Sequence, residues 1–394
     1  MSRSGLRIGL VYDALYPYVT GGAEKRYREL ASRLAERHEV HYLTWQFWDG
    51  PRQVVEDGIT LHGVGRAPSL YGADGKRTVR EAAAFSARLL PVLLRQRLDV
   101  VDCSATPYLP LYAAWLATRT TRTPLIATWH EFWGDHWLDY LPHRPVVARV
   151  ARAIEAGSRR LGDVRVPVSP FTAQRMGLPD VDGRDTIVGN GVDLAAIRRA
   201  RRAPAGTDLV FVGRLIDEKR VDLLLEAIHS LAGDHPDLRC TVIGDGPERA
   251  ALEGRAIRLG LQQRVTFTGR VDGSRLYGLM KAARILVMPS AREGFGISVA
   301  EAQACGTVPI VVRSPMSAAP ALVEDGVDGL LCDPTPASLA GAITALLSDP
   351  TRLAAMSRRA RRVAQRYDWD LLADRIEHVY LQIARRSVSL AAAT

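Results

Sequence analysis

Short apolar runs alternate with longer stretches of helical composition from one end of the chain to the other. The runs predict buried parallel strands, and the stretches between them predict helices that cover a sheet. In the first half, strands are expected at Arg7 to Val11, Glu39 to Thr44, Asp99 to Cys103, Pro124 to Thr128 and Arg165 to Val168. Helices are expected at Ala23 to Arg37, Lys76 to Arg97, Tyr108 to Thr118 and Val146 to Leu161. The pattern then restarts, with strands at Asp208 to Val212, Cys240 to Ile243, Val265 to Thr268, Ile285 to Met288 and Val308 to Val312. Two such layouts imply an α/β chain of two Rossmann-like domains whose parallel sheets face one another across a cleft. The break falls in Gly189 to Gly206, where GNGVD precedes a segment of arginine, alanine and proline suited to a linker. We therefore expect domains at 1–189 and 190–368, then an amphipathic helix at 369–386 packing back towards the first domain, and a frayed tail at 387–394.

Candidate chemistry concentrates between Ile285 and Gly306, ILVMPSAREGFGISVAEAQACG. A strand ended by Pro289 leads through a loop into a helix starting near Ile297. Were Glu293 and Glu301 on one helix, their offset of eight residues would leave the carboxylates roughly 80° apart. The better reading puts Glu293 on the loop and Glu301 in the second helical turn. Gly294 and Gly296 then let the backbone approach a ligand at the helix start, where unpaired N–H groups and the dipole favour a diphosphate. One carboxylate can hold sugar hydroxyls and the other a ribose.

Ligands of open α/β sheets bind beyond the carboxyl ends of the strands, and three such places carry further candidates. After the first strand, Gly21 and Gly22 open a helix and allow close phosphate approach; a plain flexible turn is the alternative. After Val212, GRLIDEK puts Arg214 and Lys219 beside the next helix, where two cations can meet charge growing on a leaving diphosphate. They could equally pair with Asp217 and Glu218. After Thr128, TWHEFWGDHW places His130 at a strand end, where it could contact a sugar or handle a proton. The spacing of His130 and His136 does not suit two zinc ligands on one helix face. The Asp180/Asp182 and Asp368/Asp370 triplets fit turn and capping roles better than a metal-diphosphate site.

Composition narrows the classes. A chain of 394 residues with 47% hydrophobic content and no apolar stretch of bilayer length reads as globular and cytoplasmic. Four scattered cysteines argue against disulfides or a zinc site. The net charge of +9 suits anionic ligands, and also a weak association with a membrane surface. No basic-aromatic interleaving points to nucleic acid. Neither GxxxxGK[ST] nor GxSxG occurs.

Taken together these motifs resemble those of the retaining GT-B glycosyltransferases of the large family four, over nearly the whole chain. FVGRLIDEKRVDLLLEAI, VIGDGPE, PSAREGFGISVAEAQACGTVPIV and DGVDGLL stand in family order, and GGAE, TWHE and NGVD precede them. The resemblance implies a nucleotide-diphosphate sugar as donor, a carbohydrate-like or small-molecule hydroxyl as acceptor, and no metal or other cofactor. It implies acceptor binding by the first domain and donor binding by the second. Glu293 would contact donor-sugar hydroxyls, with backbone contacts from Phe295, Gly296 and Ile297, and Glu301 would bind the ribose. Arg214 and Lys219 would neutralise the diphosphate, Gly22 would approach it, His130 would lie by the sugar, and the base would pack near Val271. Retention is explained in this family by front-face substitution.

One departure is the aromatic density around His130. If that segment is helical, Trp129, Trp133 and Trp137 form one face and Glu131, Asp135 and Asp139 a neighbouring one. Glu131 and Asp135 would then favour a cationic acceptor such as an amino sugar or aminocyclitol; tryptophans in the core and solvated acids are the alternative. The rivals are a lipid or lipid-linked acceptor reached through an interfacial Lys76 to Arg97 helix, nucleotide-sugar epimerisation, and sugar-nucleotide binding without catalysis. The base, sugar, acceptor and oligomeric state are left open.

Overall fold

Val, Ile and Leu runs become central strands because parallel strands covered on both faces must be apolar throughout. The computed structural model describes residues 5–70, 78–178 and 185–393, with side chains to residue 386. Lys76, the expected start of the second helix, and the Asp180/Asp182 triplet lie outside the described residues. The chain divides into two units, Met1–Asn190 with Trp369–Thr394, and Gly191–Asp368.

In the first unit the elements are β1 (Arg7–Val11), α1 (Gly22–Leu34), β2 (Glu39–Gln46), β3 (Gln53–Glu56), β4 (Ile59–Arg66), α2 (Val79–Arg95), β5 (Val100–Ser104), α3 (Tyr108–Thr121), β6 (Leu125–Trp129), α4 (His136–Tyr140), α5 (Pro145–Ser158), β7 (Val164–Pro167) and α6 (Pro170–Arg175). The sheet order is β3-β4-β2-β1-β5-β6-β7, parallel except for the β3–β4 hairpin. That hairpin is absent from the expected elements. Its turn is Asp57–Gly58, both residues at positive φ (49° and 77°), with Glu56 opposite Ile59. Such a two-residue turn matches the twist of the flanking strands.

The second unit contains α7 (Leu194–Arg199), β8 (Thr207–Val212), α8 (Val221–Ser230), β9 (Cys240–Ile243), α9 (Arg249–Arg258), β10 (Val265–Gly269), α10 (Gly273–Ala282), β11 (Ala283–Met288), β12 (Arg292–Glu293), α11 (Ile297–Cys305), β13 (Val308–Val312), β14 (Met316–Ser317), β15 (Leu330–Cys332), α12 (Pro336–Leu347) and α13 (Pro350–Ala364). Its main sheet, β10-β9-β8-β11-β13-β15, is parallel throughout. β1, β9 and β13 coincide with the expected spans, and the other expected strands, in both halves, shift by a residue or two at one or both ends.

The last helix, α14 (Trp369–Ala393), runs past Arg386 to Ala393, so the backbone of the expected frayed tail is helical to that point. It supplies Trp369, Leu372, Ile376 and Tyr380 to the core of the first unit. Arg33 of α1 and Arg37 in the turn after it pair with Asp370 and Asp374 on its outer side, at 2.5 and 2.9 Å. At the centre lies Asp102 of β5, fully buried, accepting hydrogen bonds from the hydroxyls of Tyr27 (3.0 Å), Thr128 (2.7 Å) and Tyr380 (2.5 Å). Burial pushes its carboxyl pKa up, and the three donors hold it back. Replacing one donor leaves a buried acceptor short of a partner. Tyr380→Phe is expected to lower the unfolding free energy by about 2 kcal/mol, seen as a lower denaturant midpoint at unchanged m-value.

Candidate functional site

The second sheet reverses its order between β8 and β11, and at such a switch point the loops leaving adjacent strands diverge and open a crevice. Residues 213–220 follow β8 and residues 289–296 follow β11, so GRLIDEK and PSAREGFG meet there. Two ion pairs and a backbone bond join them: Lys219 to Glu293 at 2.5 Å, Arg292 to Glu218 at 3.2 Å, and the Ala291 N–H to the Glu218 carbonyl at 2.8 Å. Lys219 and Glu293 are both largely buried, with side chains 17% and 14% exposed.

Glu293 is therefore not on an open loop, as the sequence leads one to expect. It ends the two-residue strand β12, which pairs in parallel with β14, and its carbonyl accepts from the Ala318 N–H at 2.8 Å. Its carboxylate is already engaged by Lys219, so neither group waits alone for its ligand. Arg214 differs: it is exposed and has no ion-pair partner among the described residues. Asp217 and Glu218, the expected competitors, leave Arg214 and Lys219 alone; Glu218 takes Arg292 instead.

Gly296 caps α11 at φ +99°, and a Cβ there would approach the Ala319 Cβ to 2.9 Å. Only glycine adopts this turn cheaply. The turn aims the first amides of α11, at Ile297 and Ser298, out of the helix end, where no intrahelical acceptor exists. Phe295 is buried edge-on against Tyr367, 5.7 Å between centroids. Glu301, in the second turn of α11, is buried and accepts from the Tyr277 hydroxyl at 3.3 Å. Val271 is half-buried in the loop between β10 and α10. The VIGDGPE loop backs this crevice. Gly244 (φ +139°) lies so close to the Gly213 carbonyl that no side chain fits, and Leu215 N–H donates to the Asp245 carbonyl at 2.9 Å.

In the first unit, Gly21 caps α1 and Gly22 is its first residue. A side chain at position 21 would strike the carboxylate of Glu24, which is buried and accepts from the Tyr12 hydroxyl at 3.3 Å. The requirement visible at Gly21 is room for Glu24. His130 directly follows β6, with the rings of Tyr12 and Tyr27 at 6.4 and 6.1 Å. Its buried Nε2 has no hydrogen-bond partner among the described residues. Desolvation, with the charge of Arg26 adding to it, pushes its pKa down from 6.5 to about 3. The imidazole is neutral at neutral pH, which suits a hydrogen-bond contact and leaves a poor proton acceptor.

The segment after His130 is not one helix. Trp129 is the buried end of β6, residues 131–135 form a loop, and α4 starts only at His136, so the expected aromatic and acidic faces do not form. Asp135 pairs with Arg152 at 2.8 Å, and Glu131 accepts from the Trp133 indole at 2.7 Å. The acidic pocket for a cationic acceptor thus loses its basis.

Comparison with known proteins agrees with the two-unit layout. The Glycosyltransferase Family 4 model matches residues 20–196, and the Glycosyl transferases group 1 model matches residues 196–363. A D-inositol 3-phosphate glycosyltransferase of Kineococcus radiotolerans is 31% identical over 91% of this chain and 90% of its own. The chain belongs to glycosyltransferase family four. A glycogen synthase of Mycobacterium tuberculosis is 35% identical over 51% of this chain and 49% of its own, so in that match the chain spans about half of the relative. Sucrose-phosphate synthase of Thermosynechococcus elongatus superposes with a TM-score of 0.81 at 20% identity, over 99% of this chain and 100% of that one. An Anabaena HepE structure in complex with UDP and glucose gives 0.74 at 20%, over 96% and 100%. The fold of this glycosyltransferase is GT-B.

Several residues that shape the surroundings of His130 in the first unit go unmarked in the glycosyltransferase sequence. Arg26 of α1 is fully buried and donates to the Gly189 carbonyl and, at 3.2 Å, to Asn190 Oδ1. Glu155 of α5, also buried, accepts from Tyr108 (2.5 Å) and from the Trp133 and Gly134 N–H groups (2.7 and 2.6 Å). Arg175 donates to the Phe132 and Trp133 carbonyls at 2.7 and 2.6 Å. Glu155 and Arg175 together fix the loop after His130. An aspartate inside VVDC is the one overt signal, since a charge in a central strand must find partners. Among the described residues no group of three or more His, Cys, Asp or Glu side chains converges to hold a metal ion.

The depressed pKa of His130 predicts a pH dependence. The unfolded chain takes up a proton near 6.5 and the folded chain only near 3, so His130 removes stability as pH falls between those values and has no effect above them. His130→Asn is expected to lose stability less steeply than wild type between pH 6 and pH 4, by about 1.4 kcal/mol per pH unit, measured by denaturant unfolding across that range.

Proposed function

We propose that this family four glycosyltransferase moves a sugar from a nucleotide-diphosphate donor to an acceptor hydroxyl with retention of configuration and without a metal ion. The observation that carries this reading is the crevice at the β8/β11 switch point, where Arg214, Lys219 and the N-terminal amides of α11 can all meet a diphosphate. Charge builds on that group as the C1–O bond breaks, and preset donors favour the transition state over the ground state. Lys219 can satisfy a phosphate oxygen while keeping Glu293, since an ammonium has three donors. Glu293 keeps acceptor capacity for hydroxyls of the donor sugar, and Glu301 is assigned the ribose. Phe295, Gly296 and Ile297 supply backbone contacts, and Val271 packs near the base. The second unit is thus assigned the donor and the first unit the acceptor.

His130, neutral, is assigned a hydrogen bond to the sugar. In the proposed front-face step the acceptor oxygen bonds to C1 as the phosphate leaves, and the acceptor proton passes to a phosphate oxygen. The low basicity of His130 supports leaving that proton to the phosphate. Relatives named as D-inositol 3-phosphate glycosyltransferases favour a small polyol or carbohydrate as acceptor.

The donor base is found by thermal shift with UDP-, GDP- and ADP-sugars, and the reaction by product analysis with and without acceptor. Product formed without acceptor would favour epimerisation or hydrolysis. Lys219→Ala, Glu293→Ala and His130→Ala are each expected to lower kcat by about 100-fold or more with the far-ultraviolet dichroism unchanged. Wild-type rates in all three would contradict the assignment. Turnover is expected to survive excess chelator, and activity lost to EDTA and restored by a divalent cation would overturn the metal-free reading.

A further inference from the structure

The first sheet has its own change of direction, between β1 and β5, and ligands of such sheets lie beyond the carboxyl ends of the strands. His130 stands on this edge after β6. Further along it, past the switch point, lies a pair of aromatic rings to which the reaction assigns no role. Tyr18, in the loop after β1, and Phe47, the residue after β2, stack with centroids 5.6 Å apart and planes 19° from parallel. Phe47 is partly buried against the core of the unit, while Tyr18 is 51% exposed. Both loops are held by buried groups. The Gln46 amide donates to the Trp48 and Gly50 carbonyls at 3.2 and 2.9 Å, and the Trp48 indole donates to the Pro51 carbonyl at 2.8 Å. The Tyr42 hydroxyl donates to the Ala14 carbonyl at 3.0 Å, and the Val19 N–H to the Leu15 carbonyl at 2.9 Å. A single exposed ring needs no explanation. A ring laid flat on a second one, by two loops fixed in this way, is preorganised for a ligand.

Position decides what the pair can hold. In the sheet β2 and β6 are separated by β1 and β5, which makes three strand spacings, or about 14 Å. Phe47 and His130 each stand one residue beyond their strand, so they lie about that far apart along the edge. One sugar ring cannot touch both; a second or third ring linked to it can. Between them the exposed positions Thr20, Gly21, Gly22 and Thr106 are small, which favours a ligand lying along the edge. A pyranose ring with equatorial hydroxyls turns a face of C–H groups outward, and these weakly positive hydrogens suit the negative face of an aromatic ring. Asp49 and Arg66, on either side of the Phe47 loop, pair with each other at 3.1 Å, which favours an uncharged ring. A bilayer or a second copy of the chain fits less well, because one tyrosine on one phenylalanine is a small apolar surface. Among the described residues no helix is long and apolar enough to cross a membrane.

We propose that Tyr18, laid on Phe47, forms a distal acceptor subsite that stacks an uncharged sugar ring one or two residues away from the ring that receives the transferred sugar. The acceptor is then an oligosaccharide and not a free monosaccharide. This rests on the reading that transfer takes place beside His130, and the test separates the two. The full chain, supplied with the donor found by thermal shift, is assayed on maltose, cellobiose and mannobiose and on methyl glucoside and methyl mannoside. The kcat/KM for the best disaccharide is expected to exceed that for its methyl monoglycoside about tenfold or more. Tyr18→Ala should bring that ratio close to one, and Tyr18→Phe, which keeps the ring, should preserve it; both variants should keep the wild-type thermal midpoint. Saturation-transfer NMR of the same disaccharides without donor should show contact at the protons of one ring with wild type and Tyr18→Phe, and none with Tyr18→Ala. A wild-type ratio near one, a ratio unchanged in Tyr18→Ala, or a ratio lost equally in Tyr18→Phe would overturn the subsite and leave the transfer reading in place. Disaccharide binding that depends on Tyr18, with no transfer to any of these acceptors, would uphold the subsite and remove the transfer reading. Absence of both would overturn both. A phenyl glycoside that outperforms every disaccharide and loses its advantage in Tyr18→Ala would also overturn the proposal, since the rings would then hold an aromatic aglycone.

Discussion

The ion pair between Lys219 and Glu293 expresses the constraint on which the second unit turns. Both groups sit in a partly dry crevice, and a lone charge of either sign there would be costly to hold. Pairing keeps the two side chains in place before any ligand arrives. The pair exists because the sheet changes direction between β8 and β11, which brings two loops far apart in sequence out side by side. Arg292 and Glu218 repeat the arrangement one step away, so the loops are clamped twice and the start of α11 is held where its amides point outward. A site built this way needs little reorganisation when charge develops in it.

Charge in the first unit is managed differently. Asp102 and Arg26 are buried in the body of the unit, and their partners are hydroxyls, a carbonyl and an amide more than each other. Their visible task is to bind α1, β5, β6 and α14 into one arrangement, and His130 is neutral partly because Arg26 is near. A buried network of this kind specifies position more than it stabilises. The two units thus hold their critical residues by different means, one through ion pairs at a crevice and the other through a core of polar bonds.

Most of the sheet architecture was legible because a parallel strand advertises itself by being apolar on both faces. The hairpin of β3 and β4 went unseen although Asp57 and Gly58 carry the turn signal, because β3 is a short exposed edge strand and His62, Gly63 and Gly65 interrupt the apolar run of β4. The motif residues of the second unit could be named from sequence, and Gly296 and Gly244 owe their places to backbone geometry that glycine alone meets easily. What sequence could not convey was partnership. Nothing in GGAEKRYREL distinguishes Arg26, which is buried, from the exposed arginines of other helices, and nothing in the spacing of Glu131 and Asp135 reveals that strand, loop and helix divide the segment between them. Side-chain burial is decided by elements distant in sequence, and periodicity within one segment is blind to it.

The return of α14 to the first unit makes the second unit an insertion within the first. While the polypeptide emerges from the ribosome, Gly191 to Asp368 can close its own sheet as soon as it is released, but the earlier-made half must wait with a gap where Trp369, Ile376 and Tyr380 will lodge. The order of synthesis and the order of completion are therefore reversed. A premature stop within α14 would damage the oldest part of the chain and spare the newer one.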